Sequence, residues 1–264
     1  MPAPADPPRL PHADLLKLKR WNTPTIYNGW EQITAHDRTR DAINHEETRD
    51  FMPQMGPMIG YAVTVVIEPS NPEHPKQNPD AWNQYRQYIL DAEAMLGLPE
   101  GSPKIVVMQD LDKPAVIGSA WGEVNANAHR ASGCVGVIVD GAVRDLDEMT
   151  AAGFKAIARR LCVGHAYACP VRWNCEVEVF GQRVQPGQLI HADKHGFMAI
   201  PREDEAKLLH AAVFMDGNEC NTLIAESRET TGLTKAQIME KFRTSGKAFG
   251  EAAQKEFKRG GEWG

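Results

Sequence analysis

The segment at 118–145, GSAWGEVNANAHRASGCVGVIVDGAVRD, decides the fold class of this 264-residue chain. It contains a glycine-rich turn, a short helical stretch, a wholly apolar strand at 135–139 and a charged junction at 140–145. Exposed acidic and basic groups directly after a buried strand mark the usual location of chemistry in α/β domains. The segment therefore predicts an α/β domain whose functional site lies where this strand ends.

Strand and helix patterns alternate on both sides of that segment. Apolar, β-branched runs predict further strands, which lie at 59–67, 104–108, 154–158, 176–180, 188–192 and 197–200. Helical spacing of apolar residues predicts helices, which lie at 14–21, 25–33, 81–96 and 146–152, with a mostly helical region from 203 onward. Ser119 is the predicted N-cap of a helix that runs to Ala131, and Asp80 is the predicted N-cap of the helix at 81–96. This order indicates a mixed α/β fold with a helical C-terminal extension.

Composition narrows the class of function. The formal net charge is −6, and Lys and Arg form no cluster of the nucleic-acid-binding type, so we expect no nucleic-acid partner. No window approaches the ~18 consecutive apolar residues of a membrane span, so we expect no membrane partner. An odd number of cysteines in apolar segments, and an N-terminus without the features of a secretory signal, favour reduced thiols and a cytoplasmic location.

Arg144 and Asp145, directly after the central strand, are the first candidates for chemistry. A guanidinium at the end of a strand can bind a carboxylate through two hydrogen bonds, and an adjacent aspartate can hold a hard divalent cation. The alternative is structural, with the aspartate stabilising a helix start and the arginine in a surface ion pair. Glu123, 21 positions before Arg144, could reach the same pocket and transfer a proton, or it could simply be a helix-start glutamate.

The glycine-rich turn before Glu123 could bind an anion. Gly118, Ser119 and Gly122 surround the predicted helix start, where exposed backbone N–H groups can hold a negatively charged group. No Gly-Lys-Ser/Thr follows and no G-x-G-x-x-G occurs, so nucleotide binding has no support.

A zinc-like set of side chains follows the central segment. Its spacing, C-x2-H-x3-C-x5-C, matches no common ligand pattern, and a proline interrupts it. We therefore interpret these cysteines as buried structural thiols rather than a zinc site. The residues of the set are Cys162, His165, Cys169 and Cys175.

Two further groups have weaker patterns. Lys104 and Lys155 border strands, where a lysine could form a Schiff base but is usually solvated. His191, Asp193 and His195 alternate along a strand and run into a glycine turn, and we interpret them as loop scaffolding.

Two motifs of the chain resemble those of a known family. Glu123 is followed by twenty residues that end in GVIVDGAV and then by Arg144 and Asp145, which is similar to the D-x20-R-D hallmark of the RraA-like family. The segment at 184–201, VQPGQLIHADKHGFMAIP, resembles the family's V-x-P-G-D stretch with its later aspartate, glycine and proline. The resemblance covers 15–227. The family includes class II 4-hydroxy-4-methyl-2-oxoglutarate/4-carboxy-4-hydroxy-2-oxoadipate aldolases and protein regulators of ribonuclease E.

The resemblance implies a role for each residue of the central segment. Arg144 would bind the carboxylate of pyruvate or another α-keto acid substrate, and Asp145 would be the direct protein ligand of Mg2+ or Mn2+. Glu123 stands where the family has an aspartate that orders a water for proton transfer. The acid group of the substrate would be held by the backbone amides of Ser119, Ala120, Trp121 and Gly122.

The resemblance also implies a fold and an assembly. Family members are compact, swivelling β/β/α-type domains that form trimers or dimers of trimers, so we expect a homotrimer or homohexamer with sites near subunit boundaries. Family aldolases add a glutamate from the neighbouring chain, for which Glu219 is a candidate here. The domain would span 12–227, after a flexible N-terminal arm at 1–11 and before a helical C-terminal extension at 228–264.

Three features depart from the family pattern. Glutamate replaces aspartate at Glu123, which lengthens the side chain by one methylene and could shift the ordered water. The segment at 69–103 resembles an insertion that could cover or narrow the pocket, and the tail from 228 is longer than in minimal members. These departures bear on the substrate more than on the metal chemistry.

We therefore predict a class II lyase that depends on Mg2+ or Mn2+ and cleaves a 4-hydroxy-2-oxo diacid to pyruvate and a second keto acid. Oxaloacetate decarboxylation passes through the same enolate and is included as a companion activity. The alternative is a non-catalytic regulator that binds a ribonuclease, since regulators of the family keep similar core residues. A demethylmenaquinone methyltransferase, a label attached to the family, has little support because no glycine-rich cofactor loop follows the first strand.

Overall fold

The computed structural model describes residues 7–259. In this part of the chain the strands are β1 (Arg49–Asp50), β2 (Met58–Ile67), β3 (Lys104–Asp110), β4 (Ser119–Trp121), β5 (Cys134–Val143), β6 (Lys155–Leu161), β7 (Pro170–Trp173), β8 (Val177–Val179), β9 (Gln182–Val184), β10 (Leu189–Asp193) and β11 (Gly196–Ile200). The helices are α1 (His12–Leu18), α2 (Thr23–Ile33), α3 (His74–Gln77), α4 (Ala81–Met95), α5 (Glu123–Ala131), α6 (Leu146–Ala151), α7 (Glu205–Glu219), α8 (Ala225–Arg228) and α9 (Lys235–Phe257). A 3-10 turn at Pro53–Met55 and a π-helical turn at Cys220–Ile224 complete the described elements.

Most strands belong to one sheet with the neighbour order β1-β6-β5-β3-β2-β10-β11. The strands β2, β3, β5 and β6 pair in parallel, while β10 pairs antiparallel with both β2 and β11. The chain between α2 and β2 connects the two outer edges, because Ile43 bridges to Met198 and Arg49 pairs with Ala158. The sheet is therefore a nearly closed barrel, and the β8–β9 hairpin packs beside it.

The central strands are buried on both faces. All ten residues of β2 are buried, and in β5 only Val135 is partly exposed. One face packs against α4 and α5 through side chains that include Tyr85 and Ala126. The other face packs against the hairpin, where Phe180 is buried. Parallel strands buried in this way appear in a sequence as near-continuous apolar runs, which explains why the sequence identifies them.

Helices cover the remaining surface of the barrel. The helices α1, α2 and α7 pack on the start of β2 and on β10 and β11. Helix α9 begins with a capping box at Thr234 and packs on α7 through Met215 and Phe249. The predicted mixed α/β fold with a C-terminal helix is thus confirmed, although 1–6 of the predicted arm and 260–264 of the predicted extension lie outside the described residues. Between residues 7 and 259, no helix has the length and apolar character needed to cross a membrane.

Two predictions within the central segment are wrong. Ser119 is not an N-cap, because it lies in β4, where its hydroxyl donates to Trp121 O (2.7 Å) and Gly122 takes the cap position of α5. The charged junction does not begin at Asp140, because β5 continues to Val143 through its pairing with β4 and β6. The true end of the strand is therefore directly before the Arg-Asp pair.

Three smaller differences concern turns and caps. Asp80 precedes α4, but its carboxylate accepts from the side chain of Asn83 (2.8 Å) rather than from a backbone N–H of the first turn. The composition of 183–187, RVQPG, predicts a turn, but β9 occupies its first part. The glycines at 217, 232 and 246 predict interruptions of the C-terminal helical region. The interruption near 232 is present, at 229–234, but α7 continues through 216–217 and α9 continues through 246.

β3 and β4 pair with the same edge of β5. β3 pairs with it as far as Val139, and β4 pairs with Ala142 and Val143. Between these two strands the chain leaves the sheet at 111–118 and then returns. The return brings β4 beside Arg144, whose backbone N–H donates to Trp121 O (3.0 Å). The fold thus joins the two ends of the segment 118–145.

Candidate active site

Seven of the residues predicted for the site line one cleft of about 250 Å³, whereas Gly118 and Glu219 do not. The predicted residues in its wall are Ser119, Ala120, Trp121, Gly122, Glu123, Arg144 and Asp145. None of the other members of the wall was predicted for this cleft, and His165 was considered only as part of the zinc-like set. They are Trp82, Val124, Asn125, His165 and Ala168. The cleft therefore combines the two ends of the central segment with α4 and with the loop after β6.

Asp145 is held in place by the start of α5. Its Oδ2 accepts a hydrogen bond from Glu123 N (3.1 Å) and lies 3.7 Å from Arg144 Nε. Its backbone is left-handed (φ +54°), a conformation that costs a non-glycine residue on the order of 1–3 kcal/mol and persists only where the surroundings enforce it. A Cβ at Gly122 would overlap this carboxylate. Glycine is therefore needed at this position for Asp145 to reach α5.

The Asp145 carboxylate fits the hard cation that the resemblance implies. In the described part of the chain no hydrogen bond or ion pair engages its Oδ1, and the side chain is 37% exposed. Across 7–259, no group of three or more His, Cys, Asp or Glu side chains could hold a metal ion. A cation at Asp145 would therefore take most of its ligands from waters and substrate oxygens, which Mg2+ accepts readily.

Arg144 is fixed at the wall of the cleft. Its Nη1 donates to Val163 O (3.1 Å), and its Nε lies near the Asp145 carboxylate. The side chain is half-buried, and these two contacts leave further guanidinium N–H groups for a ligand. A guanidinium oriented in this way can bind a carboxylate through charge-assisted hydrogen bonds.

Glu123 is the first residue of α5, and its side chain is exposed at the cleft. No described residue forms an ion pair or hydrogen bond with its carboxylate, so it is available to a water or a ligand. Two of the four predicted amide donors, by contrast, are used inside the protein. Ser119 N donates to Gly164 O (2.9 Å), and Trp121 N donates to Ser119 Oγ (3.1 Å). An acid group in the cleft would therefore depend mainly on Arg144.

Part of the wall comes from α4, within the segment that resembles an insertion. Trp82 lines the cleft, and Arg86 lies over its ring, 5.6 Å from the centroid. Arg86 Nη2 donates to Asn125 Oδ1 (2.9 Å), and Asn125 Nδ2 donates to Ala120 O (2.6 Å). These bonds join α4 to α5 and β4 at the cleft. No local signal distinguishes Trp82, because its helical spacing is the same as that of a core residue.

The loop after β6 forms another part of the wall. The Cys162 thiol donates to Ile117 O (3.1 Å), and a Cβ at Gly118 would lie only 2.6 Å from His165 O. Ala166 has a left-handed backbone (φ +48°), and its carbonyl accepts from His165 Nδ1 (2.8 Å). The loop is therefore packed tightly against the residues that precede β4, with the His165 ring at the cleft.

The zinc-like set does not form a metal site among the described residues. Cys169 is buried, and burial raises the pKa of its thiol. Cys175 is half-buried, and its backbone N–H donates to Thr64 Oγ1 (3.3 Å). Of the thiols predicted to be buried, Cys169 is buried, whereas Cys162 and Cys175 are half-buried.

Lys104 and Lys155 are buried in ion pairs, so the expectation of solvated strand-end lysines is wrong. Lys155 Nζ lies 2.6 Å from Asp50 Oδ2 and donates to Met52 O (2.9 Å). Lys104 Nζ lies 3.0 Å from Glu93 Oε1. A lysine that forms a Schiff base must be neutral and open to substrate, and neither side chain lines the cleft.

His191 and Asp193 lie in β10, and Asp193 Oδ1 accepts from His195 N (2.9 Å) in the turn that follows, so the interpretation as loop scaffolding holds for Asp193 and His195 but not for His191. Asp193 Oδ2 accepts from Thr23 N (3.0 Å), and His191 Nδ1 lies 3.0 Å from Thr23 Oγ1. They anchor the start of α2 to the sheet, and burial lowers the pKa of His191 to about 4. Glu219 accepts from Asn28 Nδ2 (2.8 Å) and lines a different groove, beside α9.

A second ionic cluster lies at the carboxyl end of β3, beside Asp140 of β5. Asp140 is buried and pairs with Arg159 and with Lys113, whose Nζ is 3.2 Å from Oδ2. Asp110 is 2% exposed, and its Oδ1 accepts from Asp112 N (2.9 Å). Its Oδ2 is buried without a hydrogen-bond partner in the described part of the chain. Burial raises the pKa of Asp110 to about 7, and the nearby charges of Asp112 and Asp140 act in the same direction.

Asp110→Asn is expected to stabilise the protein more at pH 8 than at pH 4. The native state binds the Asp110 proton more tightly than the unfolded chain does, so native stability falls as the pH rises from about 4 to about 7. Asparagine does not ionise, and the difference in free energy of unfolding should be on the order of 2–4 kcal/mol, at about 1.36 kcal/mol per pKa unit. Urea unfolding at both pH values measures it, with the exposed Asp147→Asn as control. Equal effects of Asp110→Asn at both pH values would contradict the expectation.

The chain is similar in sequence to proteins of one family. The family model RraA-like, described as Aldolase/RraA, matches residues 23–199, well over half of the chain. The uncharacterized protein MJ0644 of Methanocaldococcus jannaschii is 26% identical over 110 residues, which are 41% of this chain and 53% of that protein. The chain spans about half or less of the length of the curated relatives that it matches.

Solved structures share the fold. An uncharacterized protein from Pseudomonas syringae pv. tomato aligns with a TM-score of 0.63 at 17% identity, over 91% of this chain and 99% of that chain. Streptomyces coelicolor RraAS2, described as an unusual member of the RNase ES inhibitor RraA protein family, aligns with a TM-score of 0.60 at 17% identity, over 81% and 96% of the two chains. At these identities the likeness shows the fold alone, and it confirms the predicted RraA-like α/β architecture.

Proposed function

Since this chain belongs to the RraA-like family, we propose that it is a lyase that depends on Mg2+ or Mn2+ and cleaves a 4-hydroxy-2-oxo diacid to pyruvate and a second keto acid. The family includes both aldolases and ribonuclease E inhibitors, so membership alone leaves the activity open. The observation that carries the proposal is the placement of Glu123, Arg144 and Asp145 around one cleft. A surface that only binds a protein does not require two carboxylates and a guanidinium gathered in a concave site.

Charge and position suggest a task for each side chain. Arg144, held by Val163 O, would bind the C1 carboxylate and orient the bond to be broken. A divalent cation at Asp145 would supply Lewis-acid stabilisation of the enolate left by C–C cleavage. Glu123 would position a water that exchanges a proton with the 4-hydroxyl or the enolate carbon. Oxaloacetate decarboxylation passes through the same enolate and is part of the proposal.

A panel of 4-hydroxy-2-oxo diacids and oxaloacetate, assayed for pyruvate release with Mg2+, tests the proposal. We expect release that EDTA abolishes and added Mg2+ restores, after subtraction of the reaction that Mg2+ catalyses without protein. Arg144→Ala should lower kcat/KM by about 100-fold or more, the usual effect of removing a preorganised charge partner. Turnover that survives EDTA and is trapped by borohydride would indicate a Schiff-base lysine instead.

Because the family also includes ribonuclease regulators, one alternative comes from another class, a non-catalytic protein that binds and restrains a ribonuclease. The lyase proposal requires metal-dependent turnover in the cleft, and the regulator proposal does not. Tight ribonuclease capture in a pulldown, together with no metal-dependent turnover across the panel, would replace the lyase proposal by this alternative. Turnover that Arg144→Ala removes would favour the lyase.

A further inference from the structure

His165 lines the cleft but has no place in the family pattern described above. Its ring is held through one nitrogen, because Nδ1 lies 2.8 Å from Ala166 O. A carbonyl oxygen can only accept, so Nδ1 carries a proton and, in the neutral ring, Nε2 has the lone pair. Among the described residues no hydrogen bond or ion pair engages Nε2. This nitrogen is therefore the one that a ligand in the cleft can meet.

Backbone contacts fix the loop that carries His165. Ser119 N donates to Gly164 O (2.9 Å), and Ala168 N donates to His165 O (3.1 Å). The chain at Gly118 lies so close to His165 O that it leaves no room for a side chain. The ring thus belongs to a loop that is bonded to β4, the strand beside Arg144.

We propose that His165 is a catalytic base of the C–C cleavage and takes the proton of the 4-hydroxyl of the substrate. The inference rests on the lyase function proposed above. The hydroxyl must lose its proton as the C3–C4 bond breaks, and the neutral tautomer of His165 presents an acceptor at Nε2. Glu123 would then serve the other proton transfer, in which the water that it positions gives a proton to the enolate carbon.

The step balances in atoms and electrons. The O–H electron pair becomes the second bond of the new C4 carbonyl, and the proton moves to Nε2. The electron pair of the broken C3–C4 bond stays with the pyruvate fragment as its enolate. A proton then adds to C3, and the imidazolium returns its proton to solvent. No oxidant, reductant or further reactant is needed.

Oxaloacetate separates this role from a merely structural one. Its decarboxylation forms the same enolate but has no hydroxyl proton to remove. With the Mg2+-loaded protein, we expect His165→Asn to lower kcat for the hydroxy diacid by about 100-fold or more, and kcat for oxaloacetate by less than about threefold. Added imidazole should restore part of the cleavage by His165→Ala. His12→Asn, at an exposed histidine in α1, is the matched control and should change neither rate.

The possible failures are distinguishable. If the wild-type protein releases pyruvate from neither substrate, the lyase proposal falls and the role of His165 falls with it. If the wild-type protein cleaves both substrates and His165→Asn slows both equally, or neither, His165 is not the base and the lyase proposal stands. Thermal unfolding of His165→Asn identifies a loss of activity that comes from a loss of folded protein.

Discussion

Asp145→Asn is expected to lower metal-dependent pyruvate release by about 1,000-fold or more, because Lewis-acid stabilisation is worth several kcal/mol and each 1.36 kcal/mol is about tenfold in rate. Asparagine keeps the size of the side chain, and its carbonyl can still accept from Glu123 N, so the start of α5 is retained. It lacks the negative charge that a hard cation favours. Titration calorimetry with Mn2+ should show the loss of binding, while the melting temperature stays close to that of the wild type.

Two further variants near Asp145 serve as controls for this experiment. Asp147→Asn removes an exposed carboxylate two positions later and should leave Mn2+ binding and turnover unchanged. Gly122→Ala changes no charge, but its Cβ would displace the Asp145 carboxylate, so it should weaken Mn2+ binding. Full Mg2+-dependent turnover by Asp145→Asn would refute the assignment of Asp145 as the metal ligand.

Lys155→Met is expected to lower the free energy of unfolding by about 3–5 kcal/mol, the usual cost of removing one partner from a buried ion pair. Lys155 and Asp50 side chains are 3% and 2% exposed, and their charged atoms lie 2.6 Å apart. Without the ammonium group, the Asp50 carboxylate would stay buried with Met52 N as its remaining hydrogen-bond donor (2.9 Å). Urea denaturation at pH 7 measures the loss.

A surface pair provides the matched control. Lys76 and Glu73 also form an ion pair, but both side chains are more than half exposed, so Lys76→Met should cost less than about 1 kcal/mol. Combining Lys155→Met with Asp50→Leu should recover much of the lost stability, because no buried charge is then left unpaired. A Lys155→Met protein as stable as Lys76→Met would show that the buried pair contributes nothing.

The strands and the Arg144–Asp145 pair were predictable because their signals are local. β2, β3 and β5 are buried on both faces, and so they appear as apolar runs that few other structures would produce. The Arg-Asp pair follows β5 directly, although the apolar run ends at Val139 and Asp140 still belongs to the strand. The spacing from Glu123 then indicates which residues meet at that end.

The rest of the site depends on contacts between distant segments. Trp82 reaches the cleft because Arg86 of the same helix forms a hydrogen bond with Asn125. His165 reaches it because Gly118 has no side chain, which leaves room for the loop that carries His165. Neither pairing leaves a pattern in the sequence around the residue. The N-cap prediction for Ser119 is wrong for a related reason. A serine before a helical pattern indicates an N-cap, but the pairing of β4 with the distant strand β5 places Ser119 in the sheet.

The pairing of β2 has a consequence for the order in which the chain can fold during synthesis. One edge of β2 pairs with β3, but the other pairs with β7 and β10, which end at Trp173 and Asp193. While a ribosome is still making these later strands, the outer edge of a strand that is wholly buried in the folded protein has no partner. Unpaired strand edges in unfinished chains promote aggregation. The yield of this protein in a cell therefore depends on how well β2 is shielded before translation passes Asp193.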